Sequence, residues 1–190
     1  MKDACHLILI KHSLPEIDEN VPAREWELSS AGMIRAKSLV EKLRPHHPEL
    51  IFSSTEIKAQ QTAGILAKSL ELGILTAPGL QEHDRIGIPF YSQDEFHILV
   101  ETFFERPDQL IFGNETAHQA FGRFRKSIEM ILESPNDRKV AIVSHGTVIS
   151  LFVSWLTGVD GYLLWKELGL PSFVELDIQN RKLLNIVNIT

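Results

Sequence analysis

The chain has 190 residues, of which 44% are hydrophobic, 19 are Lys or Arg and 25 are Asp or Glu, giving a formal net charge of −6. That length and apolar content can bury one domain's core, and the acidic balance argues against nucleic acid, which is held by clustered positive charge. The lone cysteine, Cys5, excludes a disulfide framework and a thiolate metal site, and no run approaches the ~18 apolar residues of a membrane span.

Met1 to His6 lead into only a short apolar run, Leu7 to Ile10. This is too short for a signal-peptide core, so a cytoplasmic protein is expected. Leu7–Ile10 reads as a strand buried on both faces. After a polar stretch, Ser29 or Ser30 caps a helix with apolar positions Met33, Ala36, Val40 and Leu43, which Pro45 ends. Leu50–Phe52 is a second strand, and Ser53 with Glu56 fits a capping box. The following helix buries Ala59, Ala63, Leu66 and Leu70 and stops before Gly73, and Ile74–Thr76 is a weaker strand.

From Pro78 to about Gly113 the chain reads as irregular, holds three prolines, and suggests a small lid or cap inserted over about 78–115. Ala117, Phe121, Phe124, Ile128 and Ile131 mark the clearest amphipathic helix. Val140–Val143 is a fully buried strand, followed by a helix carrying Val148, Phe152 and Leu156. Phe173–Ile178 and Leu183–Ile189 form a closing hairpin at a sheet edge, which offers one surface for a homodimer. Strands alternating with helices predict a single α/β domain over 1–190, with a mostly parallel central sheet and helices on both faces.

Two strands run into histidines: Leu9-Ile10 into Lys11-His12-Ser13, and Ile142-Val143 into Ser144-His145-Gly146-Thr147. In parallel sheets ligands bind beyond the carboxyl ends of the strands, so both imidazoles meet on one rim if these strands are neighbours. Ser53-Ser54-Thr55 is a third contribution to that rim. Lys58, in the first turn of the next helix, opposes the helix dipole, a penalty that a bound phosphate would reverse.

These elements resemble the histidine phosphatase superfamily, which includes phosphoglycerate mutases. The family's strand–Arg-His-Gly opening stands here as Lys11-His12-Ser13, its Leu-Thr-x-x-Gly helix start as Leu28-Ser29-Ser30-Ala31-Gly32, and its Ser-Ser-x-x-x-Arg-Ala-x-x-Thr-Ala as Ser53 to Ala63. Leu80-Gln81-Glu82, Gly113-Asn114-Glu115-Thr116 and Ser144-His145-Gly146 follow in family order. The resemblance implies a phosphoglycerate mutase-like fold and a metal-independent phosphomonoesterase with no cofactor. His12 would take the phosphoryl group as a phosphohistidine, and His145, Lys11 and Lys58 would bind its oxygens. Glu82 would be the general acid, with Asp84 as the other candidate. Backbone N–H groups at the start of the His145 helix would add donors.

Two lysines replace two arginines of that pattern, a mobile point charge for a rigid two-pronged contact. Two ammonium groups side by side should depress each other's pKa, so anion binding should weaken at alkaline pH. The substrate implied is a small phosphorylated metabolite or phosphoprotein. The alternatives are a phosphoglycerate-type mutase and a pseudoenzyme that binds a phosphorylated ligand without turnover. His6, His46, His47, His83, His97 and His118 show no metal-ligand spacing, Glu115 and Thr116 read as helix caps, and Trp26, Trp155 and Trp165 read as packing residues.

Overall fold

The computed structural model describes residues 6–133 and 139–189. Cys5 and the Met1–Ala4 stretch lie outside them. Six strands form one sheet, β1 (His6–Lys11), β2 (Leu50–Ser53), β3 (Gly73–Thr76), β4 (Val140–Ser144), β5 (Ser172–Asp177) and β6 (Lys182–Asn188), in the order β3-β2-β4-β1-β5-β6. The first four in that order run parallel, while β5 is antiparallel to β1 and pairs with β6 as the edge hairpin. The sheet is thus mostly parallel, as the alternation of elements predicts, with β5 as its one reversed strand.

Among the described residues six α-helices cover it: α1 (Ser30–Leu43), α2 (Ile57–Leu70), α3 (Gln93–Glu105), α4 (Ala117–Leu132), α5 (Gly146–Thr157) and α6 (Gly161–Glu167). Alternation along β1 divides the core in two. Ile8 and Ile10 join Ile51, Ala141 and Val143 against the buried faces of α1 and α2. Leu7 and Leu9 join Val140 and Ile142 against α3, α4, α5 and α6. A strand apolar at every position needs a covered surface on both sides, which these two helical layers supply.

Several expectations change here, among them the burial of Leu70, which is only half-buried on α2. Residues 78–113 are not irregular throughout, because α3 occupies 13 of them behind a capping box formed by Ser92 and Glu95. Its Val100 and Phe103 are fully buried, so the segment is pinned to the core through this helix. Nor does α2 begin with a Ser53–Glu56 capping box. Ser53 Oγ donates to the Ser54 carbonyl, and Glu56 is itself the N-cap, in extended conformation and without a side-chain cap bond. At α1, Ser29 does cap, accepting from Gly32 N, but Met33 is 44% exposed and the buried stripe is Ala36, Leu39, Val40 and Leu43. The short α6 was not anticipated; Asp160 caps it.

Candidate active site

β1 and β4 are neighbours, with Lys11 opposite Ser144, and β2 pairs with the other side of β4. Their carboxyl ends stay in register just beyond the sheet: His12 N donates to Ser144 O at 3.0 Å, and Ser54 N to Val143 O at 2.9 Å. The two imidazoles consequently meet, with centroids 5.1 Å apart and planes at 62°. Both are buried.

The turn after His12 is held from two directions. Ser13 N donates to Thr62 Oγ1 at 3.0 Å, and Ser13 Oγ donates to Gly32 O at 2.7 Å. Ser29 of α1 binds the Leu14 carbonyl through both its N–H and its hydroxyl. A Cβ at residue 32 would collide with that same carbonyl, which explains the glycine at the third position of the helix.

Hydrogen bonding assigns the ring protons. His12 Nδ1 lies 2.7 Å from the Ser13 carbonyl, which only accepts, so Nδ1 carries the hydrogen and Nε2 keeps its lone pair. Ser54 Oγ accepts from Glu56 N at 3.3 Å and lies 2.8 Å from His145 Nε2, its one available acceptor among the described residues. A fully buried hydroxyl must donate, so it donates to Nε2 and leaves the hydrogen of His145 on Nδ1. That Nδ1 is buried and has no partner. Burial, first of all, pushes both imidazoles well below the ordinary histidine range; each imidazole is pushed further by nearby positive charge, His145 and Lys58 acting on His12 and Lys58 on His145. At neutral pH the rings are uncharged: His12 offers a lone pair and His145 an unsatisfied N–H.

Both lysines reach this region, but each has a protein acceptor. Lys11 Nζ donates to the Leu168 carbonyl at 2.7 Å and packs over Gly146. Its pKa is lowered to about 8, by burial, against the raising effect of Glu82. The expected depression is therefore real at Lys11, but desolvation causes it rather than a second ammonium. Lys58 Nζ donates to Ala23 O and to Glu56 Oε2, each at 2.6 Å.

Glu82 rather than Asp84 stands beside the histidines. Its Oε1 accepts from His83 N at 2.9 Å and its Oε2 from Thr147 N at 3.2 Å. One N–H at the start of α5, expected to serve the phosphate, is therefore taken by Glu82. Burial raises the Glu82 pKa, but His145, Arg85 and the His83 N–H outweigh it and hold the carboxyl below its ordinary value. Asp84 Oδ1 instead caps the Ile86 N–H.

Two residues of this region were not singled out as site residues from the sequence. Arg123, on α4, donates to the carbonyls of Gly79, Gln81 and Glu82 and to both carboxylate oxygens of Glu115. This guanidinium fixes the backbone that carries Glu82. Glu115 is thus part of a clamp, not a helix cap; Thr116 alone caps α4. The second is Glu56, whose Oε1 accepts from Glu82 N at 2.8 Å and lies 3.6 Å from His145 Nε2. Glu56 and Lys58 are two apart in sequence, a spacing that does not place side chains together on a helix. They meet because Glu56 is still extended.

His46, His47, His83, His97, His118 and the tryptophans play packing or surface parts. His83 sits between Phe103 and Phe112, His46 beside Glu175 and Phe173, and Trp155 against Phe121 and Phe152. Among the described residues no group of three or more His, Cys, Asp or Glu is arranged to hold a metal ion. A cavity of about 570 Å³ opens beside the site, lined by Arg24, Glu56, Glu82, Asp84, Arg85 and Arg123 among others.

A doubly covered α/β sheet with a histidine at the end of each of two adjacent parallel strands defines a phosphoglycerate mutase-like protein. The family model of the histidine phosphatase superfamily (branch 1) matches residues 7–188, and the chain belongs to that superfamily. It is 25% identical over 157 residues to the uncharacterised phosphatase PhoE of Bacillus subtilis (strain 168), covering 80% of this chain and 77% of that one. Among solved structures it resembles a mycobacterial glucosyl-3-phosphoglycerate phosphatase, with TM-score 0.77, 21% identity and coverage of 98% and 100%. It also resembles a phosphoserine phosphatase of Entamoeba histolytica, with TM-score 0.75, 18% identity and coverage of 97% and 98%. At these identities the likeness to solved structures concerns the fold. No helix among the described residues is long and apolar enough to cross a membrane.

Proposed function

We propose that this protein is a phosphomonoesterase that hydrolyses small phosphorylated substrates through a phosphohistidine at His12. The observation that carries this reading is the pair of neutral imidazoles 5.1 Å apart, one offering a lone pair and the other a free N–H. In the first step Nε2 of His12 attacks phosphorus in line and the ester P–O bond breaks. Positive charge then resides on the phosphorylated ring, whose Nδ1–H is already held by the Ser13 carbonyl. His145 Nδ1–H, Lys11 and Lys58 stabilise the equatorial oxygens. Glu82 gives a proton to the leaving alkoxide and later takes one from the water that attacks the phosphohistidine, which restores His12 and releases orthophosphate.

A general acid must hold a proton, and Glu82 is ionised in the free site at neutral pH. A phosphoryl dianion arriving beside it raises its pKa, so substrate itself loads the acid. The chain as one domain, with residues 78–115 acting as a cap that shapes specificity, belongs to the same proposal.

A binding protein without turnover is the second reading, favoured by one feature: both ammonium groups already donate to protein acceptors. Orthophosphate release from an aryl phosphate separates the two. Wild type is expected to turn over and His12→Ala to lose about a thousandfold or more of that rate. Equal rates from the two proteins rule out the phosphatase reading.

A further inference from the structure

Glu56 is a carboxylate at the heart of a site built for an anion. It is 8% exposed. One oxygen receives the Lys58 ammonium at 2.6 Å, and the other receives the Glu82 N–H at 2.8 Å while lying 3.6 Å from His145 Nε2. A cation, a backbone N–H and a neighbouring imidazole are the kinds of group that would otherwise surround phosphoryl oxygens.

The cavity adds a second, independent observation. Its lining includes Glu56 and Glu82 but neither imidazole and neither lysine. His12, His145 and Lys58 are all nearly inaccessible, at 7%, 0% and 4% exposure. A substrate in the open space thus meets Glu56 and Glu82, together with the guanidinium groups of Arg24, Arg85 and Arg123, before it meets the two imidazoles and the two lysines. The free N–H of His145 has no partner in the same closed arrangement.

Resting on the phosphatase reading of this site, we propose that Glu56 is an internal counter-anion that holds Lys58 until a phosphoryl group displaces it. When a dianion enters, Lys58 exchanges the Glu56 carboxylate for a phosphoryl oxygen, and Glu56 swings toward the cavity it already lines. The exchange explains how a buried ammonium two residues from a carboxylate stays paired in the empty enzyme. It also makes Glu56 the residue that sets anion affinity, because an ionised carboxylate and a phosphoryl dianion compete for one cation.

Orthovanadate binding, measured by calorimetry, tests this. Glu56→Gln keeps an oxygen for the Glu82 N–H and removes the charge, and is expected to bind vanadate at least about tenfold more tightly than wild type. Lys58→Met should weaken binding, and Glu56→Gln should bring no gain when combined with it. Equal or weaker binding by Glu56→Gln at an unchanged melting temperature overturns the proposal, as does a lack of binding by both proteins. Should Glu56→Gln fail to fold, a crystal structure of wild type with vanadate decides. Lys58 on a vanadate oxygen and more than 4 Å from Glu56 supports the exchange; an intact Lys58–Glu56 contact beside bound vanadate overturns it. Failure of the phosphatase reading shows separately, as turnover that survives His12→Ala.

Discussion

The floor and the mouth of the site are built in opposite ways. The floor is made where β1, β4 and β2 end: backbone bonds that continue the sheet hold His12 and Ser54, His145 directly follows β4, and the site is buried, with Lys11 and the Lys58–Glu56 pair as charged groups close to the imidazoles. The mouth is made by residues 79–86 and 115, which belong to no strand and are held by side-chain bonds: those of the Arg123 guanidinium, the Glu56 carboxylate on the Glu82 N–H and the Ser144 hydroxyl on the Leu80 carbonyl. The floor's geometry follows from backbone pairing shared by many residues, whereas the mouth depends on a few side-chain bonds. Position at the floor should be robust to most single substitutions away from its contacts, and position at the mouth should not.

Substitutions sharpen that contrast. The largest effect on the floor is expected from Gly32→Ala, because the new methyl would collide with the Leu14 carbonyl and push α1 off the turn that follows His12. Overpacking of this kind costs about 1–3 kcal/mol, and activity should fall with stability; an unchanged melting temperature in a thermal scan would show that α1 does not brace this turn. At the mouth, Arg123→Met should lower turnover roughly tenfold to a hundredfold while leaving vanadate affinity nearly unchanged, since it releases the Glu82 backbone but not the imidazoles. A loss of vanadate affinity as large as the loss of turnover would mean that floor and mouth are a single unit.

The smallest and most diagnostic effect is in the pH profile. Lys11 is cationic below about 8 and loses its charge as pH rises through that value, so phosphate affinity should decline there. The decline should vanish in Lys11→Met. His12, by contrast, remains a free base well below pH 6.5, so the acid limb of kcat/KM should lie below the ordinary histidine range. An acid limb near 6.5 would mean that His12 is more solvated than its burial indicates.

Much of the floor was legible before any coordinates. Fully apolar strands that run into Lys11-His12-Ser13 and Ser144-His145-Gly146 carry their own placement, because parallel neighbours share one rim. The mouth was only half legible. Glu82 could be picked by its position after Leu80, but Arg123 lies on a helix whose amphipathic pattern makes it look like an ordinary solvated position. Helix α3 was hidden by the prolines around it, although Ser92 and Glu95 stand at capping-box spacing. Glu56 carried a misleading sign: at that same spacing from Ser53 it suggested a cap, and the chain resolved it otherwise.

Local residue patterns by themselves determined the alternation of strands and helices, the doubly covered sheet and the two histidines at strand ends, since period and burial are properties of neighbouring residues. Tertiary structure alone decided the company those histidines keep: the reversed strand β5, the Arg123 clamp from α4, and the carboxylate of Glu56 against Lys58. Each of these depends on where an extended or helical segment turns in space, and a side chain's partner across such a turn is written nowhere in its own stretch of chain.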